Sequence, residues 1–284
     1  MPIIAINFLF RAILHFTMLA VLFTANALGL KAQPFKNLSK YEAVYATYQN
    51  EKGKTVTEAG HIYYLPKLGK PISAKELNQL YPFTQNNLPE TWLGMVRTRL
   101  SETDKTEYLV VFDWGMSDDY NFTFFRMDKD TLLPVQQTQP DGQLYESYIF
   151  GKQIYLPGNG FMYTAGHVNN SFNQRGKWFI QNNLLYQTPQ PFYYVGLETK
   201  ALKPLTLYAD LSMSQKVADI PAGNALTVLL QLPPQQAPPT GQASDDYNPY
   251  EYFLLKTEFG LTGWVKIVTY LPDSPIEGLF FAGD

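Results

Sequence analysis

Gly151-Lys-Gln-Ile-Tyr-Leu156 and Phe161-Met-Tyr-Thr-Ala-Gly-His-Val168 stand on either side of Pro157-Gly158-Asn159-Gly160. Two short runs rich in aromatic and aliphatic residues, separated by turn formers, read as a β-hairpin. Glycine takes the positive φ that a tight turn requires, and proline does not extend a central strand. The same pattern recurs in both directions. Upstream, Tyr41–Tyr48 and Glu58–Leu65 flank the turn Asn50-Glu51-Lys52-Gly53. Thr91–Leu100 and Glu107–Trp114 flank the polar turn Ser101–Lys105, Ser117-Asp118-Asp119 turns into Tyr120–Met127, and Pro140-Asp141-Gly142 precedes Leu144–Phe150. Downstream come Lys177–Gln181, Leu184–Tyr186 and Phe192–Glu198. So many short strands at close spacing predict an all-β protein, with residues 33–198 as an antiparallel meander of sandwich-like form.

One helix is predicted. Ser73 with Glu76 three residues on forms a capping box ahead of Leu77 and Leu80, and Pro82 ends the segment. A weak internal echo links Gly60-His-Ile-Tyr-Tyr-Leu-Pro66 with Gly151-Lys-Gln-Ile-Tyr-Leu-Pro157. In a chain this rich in Tyr and Leu the echo carries no argument by itself.

Residues 1–32 read as a signal peptide. Arg11 precedes the apolar run Ala12–Phe23, and two cleavage points follow, after Ala25-Asn26-Ala27 or after Leu30-Lys31-Ala32 ahead of Gln33. An uncleaved anchor is the competing reading, but Arg11 and His15 interrupt the roughly 20 clean apolar residues that a span needs. The chain has no cysteine, which excludes disulfides, thiolate metal sites, a cysteine nucleophile and a lipoprotein anchor. Removing Arg11 and Lys31 leaves 20 basic against 25 acidic residues, a net charge of −5. No basic stripe is present, so nucleic acid and, after cleavage, anionic membranes are not expected partners. The expected location is the periplasm or the exterior.

Near Thr199 the texture changes. Leu205-Thr-Leu-Tyr208 leads to the polar turn Ser212–Gln215, then Val217-Ala-Asp-Ile220, Pro221-Ala222-Gly223, the strand Ala225–Leu232, the strand Tyr252–Glu258, and Gly263-Trp264-Val265. In order and content this resembles the bacterial SH3 family, over about residues 199–272. The resemblance implies a small β-barrel as the C-terminal module, residues 199–284, and contact with peptidoglycan or envelope proteins. Bacterial SH3 domains often accompany cysteine peptidases, a partnership that does not extend to a chain without cysteine. The segment between the two longer strands, Pro233–Pro249, is longer than a compact member of the family needs. Its prolines favour extended polyproline II chain. The candidate ligand contacts are Tyr208, Tyr247, Tyr250 and Trp264, with Trp264 reading equally as core. The apolar tail Ile276–Phe281 is expected to pack onto the body.

Catalytic chemistry finds little support. His61 and His167 have no ligand companion at metal-site spacing, and no nucleophile elbow or phosphate loop is present. No cofactor, metal or catalytic residue is therefore assigned. Asp113, Asp118 and Asp119 near Trp114, followed by Asp128 and Asp130, are compatible with a glycosidase pair, but Asp is also the ordinary turn residue. The leading expectation is an exported, non-catalytic binding or scaffold protein. The alternatives are a carbohydrate-active hydrolase using these carboxylates and an interaction subunit of an envelope assembly.

Overall fold

Alternating apolar and polar side chains make strands of most of the chain. The computed structural model describes residues 38–49, 52–57, 61–81, 92–115, 119–138, 142–167, 172–233, 250–268 and 274–279; the expected signal peptide lies outside them. In chain order the strands begin with β1 (Glu42–Val44), β2 (Thr47–Gln49), β3 (Thr55–Thr57), β4 (Ile62–Tyr64), β5 (Gly69–Pro71) and β6 (Gly94–Arg99). Next come β7 (Glu107–Trp114), β8 (Tyr120–Asp128), β9 (Thr131–Pro134), β10 (Gln136–Thr138), β11 (Leu144–Glu146) and β12 (Tyr148–Gly151). They are followed by β13 (Gln153–Leu156), β14 (Phe161–His167), β15 (Asn173–Gln181), β16 (Leu184–Gln187) and β17 (Tyr193–Lys200). The last are β18 (Leu205–Tyr208), β19 (Lys216–Ile220), β20 (Ala225–Gln231), β21 (Tyr250–Thr257) and β22 (Thr262–Val268). The protein is all-β in character, with one short α-helix, α1 (Ala74–Leu80), among the described residues.

Among the described residues the strands form three large sheets and one two-stranded ribbon. The first is eight-stranded, β1-β4-β13-β14-β15-β16-β10-β11, and mixed, because β4/β13 and β10/β16 pair in parallel. The second is antiparallel, β12-β8-β7-β6-β5 with β9 on β8, and the third is antiparallel, β17-β20-β21-β22-β18-β19. Strands β2 and β3 pair with each other.

The first two sheets pack face to face. Ile62, Tyr64, Ile154, Leu156 and Met162 from one meet Val96, Val110, Phe112, Phe122, Phe124 and Ile149 from the other. On the far side of the second sheet, Leu77 and Tyr81 of the α1 segment bury Leu109 and Val111. Strand β7 is thus covered on both faces, which is why Tyr108-Leu-Val-Val-Phe112 reads as a continuous apolar run. Each fully buried aliphatic or phenyl side chain here contributes about 1.5–3 kcal/mol.

The hairpin of β13 and β14 forms where the turn chemistry places it. Tyr155 pairs with Tyr163, and Gly158 and Gly160 take φ of 76° and 84°. The two echoing heptapeptides lie side by side, with Ile62 opposite Ile154 and Tyr63 opposite Tyr155. That register is shifted by one residue from the alignment of their glycines and prolines.

The capping box is present in full. Glu76 N–H donates to Ser73 Oγ at 3.2 Å, and Ser73 N–H donates to the Glu76 carboxylate at 2.8 Å. Leu77 is buried and Leu80 exposed, and the helix stops at Tyr81, just before Pro82. Ser73→Ala is expected to lower the thermal midpoint by about 2–4 °C. The Ser73 backbone and hydroxyl hydrogen bonds hold the Glu76 carboxyl below its ordinary range. A lowered native pKa stabilises above the unfolded value and is lost as pH falls through the native one. Glu76→Gln should therefore flatten the acid limb of the stability profile just below the ordinary glutamate range; an unchanged limb in urea titrations would refute this.

The third sheet has its own core, in which Leu207, Ile220, Leu226, Val228, Phe253, Leu255, Val265 and Ile267 meet Ile276 and Leu279 of the tail. The tail is tied by Leu202 N–H to Pro275 O at 2.8 Å and by Glu277 N–H to Lys200 O at 3.1 Å. At Pro221-Ala222-Gly223 the chain turns with Gly223 at φ 86° and Asn224 N–H donating to Pro221 O at 3.3 Å. Strand β17, which spans the 198/199 division made from sequence, hydrogen-bonds to β20 of this sheet.

Candidate binding site

Strand alternation decides which aromatic residues of the third sheet face away from its core. On β22, Gly263, Val265 and Ile267 are buried, so Trp264 and Lys266 project from the opposite face. On β18 the buried residue is Leu207, which puts Tyr208 on that same outer face. Tyr208 and Trp264 are direct cross-strand partners, a placement that brings side chains into contact range. Trp264 is half-buried and stands outside the core cluster that Val265 and Ile267 join.

The row continues. Trp264 faces Leu254 on β21, Leu254 faces Leu230 on β20, and Leu230 faces Tyr194 on β17. One line of apolar side chains therefore crosses five strands. Tyr194 is 65 % exposed, and Phe192, 41 % exposed, sets its ring 6.0 Å from Trp264. The backbone makes room for Tyr194 at a bulge. Gly196 has φ 66°, and a Cβ there would stand 2.3 Å from the Tyr194 hydroxyl oxygen, so the ring lies across the glycine. Lys266 Nζ sits 5.8 Å over the ring of Tyr252 on the same outer face. Inside, at the end of the sheet, Gln231 Nε2 donates to Glu251 Oε2 at 2.5 Å, a buried amide–carboxylate pair.

Of the contacts expected from sequence, the structure thus brings Tyr208 and Trp264 together. Tyr250 opens β21 opposite Val268, and Tyr247 lies outside the described residues. Phe192, Tyr194, Leu230 and Leu254 were not anticipated. For Tyr194 and Leu230 the sequence signal is alternation along β17 and β20, which bulges on both strands interrupt.

The carboxylates near Trp114 do not converge. Asp113 follows Leu109 and Val111 on the strand face that packs toward α1. Asp119, 1 % exposed, turns toward the eight-stranded sheet, where its Oδ2 lies 3.0 Å from the place a Gly166 Cβ would occupy. Two acids on opposite faces of one sheet do not flank one sugar. Asp118 lies outside the described residues, and Asp128, the last residue of β8, and Asp130, in the turn after it, are both exposed, Asp128 Oδ1 accepting from Lys129 N–H at 2.8 Å.

His61 is 2 % exposed, its ring centroid 3.9 Å from Tyr120 and 5.2 Å from Phe112, with Nδ1 3.2 Å from Lys152 O. It is part of the aromatic core. His167 ends β14 opposite Asn173. Among the described residues no three His, Asp or Glu side chains gather as a metal cluster, and no helix is long and apolar enough to cross a membrane. Compared with protein-family models, curated proteins and solved structures, the chain matches none.

Proposed function

We propose that the protein is an exported binding or scaffold protein, periplasmic or secreted, that contacts peptidoglycan or an envelope protein through an SH3-like module at residues 199–284 and catalyses no reaction. The observation that carries this reading is the row Tyr194–Leu230–Leu254–Trp264–Tyr208 on the outer face of the third sheet. Half-exposed aromatic rings offer large contact area at low entropic cost, and they stack on sugars or pack a peptide without any acid–base pair. The tight turn at Gly223 and the Gly263-Trp264-Val265 strand that pairs with β18 support the resemblance on which the ligand class rests.

The test is retention of the purified protein on intact peptidoglycan sacculi. Wild type is expected to be retained, and Trp264→Ala combined with Tyr208→Ala should weaken binding by about 2 kcal/mol, some thirtyfold, with the thermal transition still cooperative. Undiminished retention of a folded double variant would refute the row as the contact surface. Co-purification with an envelope protein, without retention on sacculi, would move the ligand from glycan-peptide to protein.

A further inference from the structure

The eight-stranded sheet has a second aromatic face, turned away from the sandwich core. On β14, Met162 and Thr164 are buried inward, so Phe161 and Tyr163 point outward. On β15, Trp178 and Ile180 pack on the core, leaving Arg175, Lys177 and Phe179 on the other side. Register then assembles two short rows across the strands. In one, the rings of Tyr63 and Tyr155 stack at 4.7 Å and 8°. In the other, Phe161 lies 6.2 Å from Phe179, which stacks on Tyr186 at 5.2 Å. Lys177 Nζ stands 3.8 Å over the Phe161 ring between the rows, and Arg175 is exposed two residues along the same strand face.

Charge sets this face apart. The protein carries 25 Asp and Glu, yet residues 147–197, which supply β13 to β16, contain none. The two cations of β15 thus stand on strands without a counter-charge, in a chain that is acidic as a whole. Two cations are too few for a nucleic-acid backbone, whose binding rests on many phosphate contacts.

We propose that this outer face binds an acidic polysaccharide, with uronate carboxylates paired to Arg175 and Lys177 and sugar rings lying against the aromatic rows. A guanidinium takes a carboxylate in a bidentate fork. Aromatic rings pack the C–H faces of pyranoses, and the side-chain amides of Gln153 and Asn173 share the face and suit sugar hydroxyls. Neighbouring strands stand about 4.8 Å apart, close to the advance per ring of an extended pyranose chain, so a glycan crossing the strands meets one side chain per sugar.

The experiment is affinity electrophoresis of the purified protein in gels containing polygalacturonate, with neutral dextran as control and flotation with phosphatidylglycerol vesicles alongside. Polygalacturonate should retard the protein and dextran should not. Arg175→Gln with Lys177→Gln should weaken retardation by about tenfold, added salt should weaken wild-type binding, and Tyr186→Ala should weaken it at an unchanged thermal midpoint. Arg175→Gln alone provides an exposed substitution in case the double variant folds poorly. Trp264→Ala should leave retardation unchanged, which separates this site from the third sheet. Absence of retardation, equal retardation by dextran, or insensitivity to both the charge and the Tyr186 variants would overturn the proposal. Flotation with vesicles in place of retardation would assign the face to a lipid surface and overturn it equally.

Discussion

Phe112→Ala is expected to destabilise the protein by about 3–5 kcal/mol, the range for truncating a fully buried phenylalanine. Phe112 is 0 % exposed and sits where the two sheets of the sandwich meet. Its ring contacts the edge or face of His61, Tyr120 and Phe122 at centroid distances of 5.2, 5.6 and 6.2 Å. These neighbours come from two strand regions in the two facing sheets, His61 just ahead of β4 and Tyr120 and Phe122 on β8, so no single side chain can swing in to fill the space. Urea denaturation should show a lower midpoint with an unchanged slope. Trp114→Ala, two residues along the same strand face but 45 % exposed, should cost markedly less. A Phe112 variant no weaker than the Trp114 variant would mean that the core lies elsewhere.

The second large effect is steric. A Cβ on Gly166 would stand 2.4 Å from Gly151 Cα, 3.0 Å from Asp119 Oδ2 and 3.3 Å from Lys152 N. Two of these three atoms are backbone in the adjoining region of β12 and β13, so relief requires moving strands rather than a side chain. Gly166→Ala should cost about 3 kcal/mol, at the upper end for overpacking. Gly142→Ala is the control. Gly142 has φ 80° with nothing within 4 Å of its Cβ position, so the cost there is conformational alone, about 1 kcal/mol. Equal midpoints for the two variants would contradict the close approach of β12 and β14.

The same contact explains a residue that sequence reasoning placed in a turn. Asp119 looked like a solvated turn acid beside Asp118, but the neighbouring glycines at 151 and 166 leave room for its carboxylate to lie inside. No local pattern announces such a pocket, because the glycines stand 32 and 47 residues away in the chain. His61 shows no metal-ligand companion in its spacing, and the structure places its ring, 2 % exposed, among Phe112 and Tyr120. The candidate site was legible in part. Tyr208 and Trp264 stood out through the order of their motifs, whereas Tyr194 and Phe192 did not, since their relation to Trp264 exists only once β17 joins β20 and the strands bulge.

What the sequence by itself determined about this protein is local. Turn residues at Pro157–Gly160 and Pro221–Gly223, the Ser73/Glu76 capping box and the period-2 alternation each act within a few residues, so the all-β character follows from propensity and sterics. Beyond the local hairpins, strand partners, and which face of each strand turns inward, were decided by the tertiary structure. A strand's side-chain period is two, and its pairing energy is nearly indifferent to which apolar strand lies alongside, so sequence offers many near-equivalent pairings. Burial of both sheets against one core selects among them. It sets β4 beside β13, 91 residues on at the His61–Lys152 contact. By the same selection one line of aromatic and aliphatic side chains lies across the third sheet and two short aromatic rows lie across the first, because the inward positions of those strands were already taken by the core.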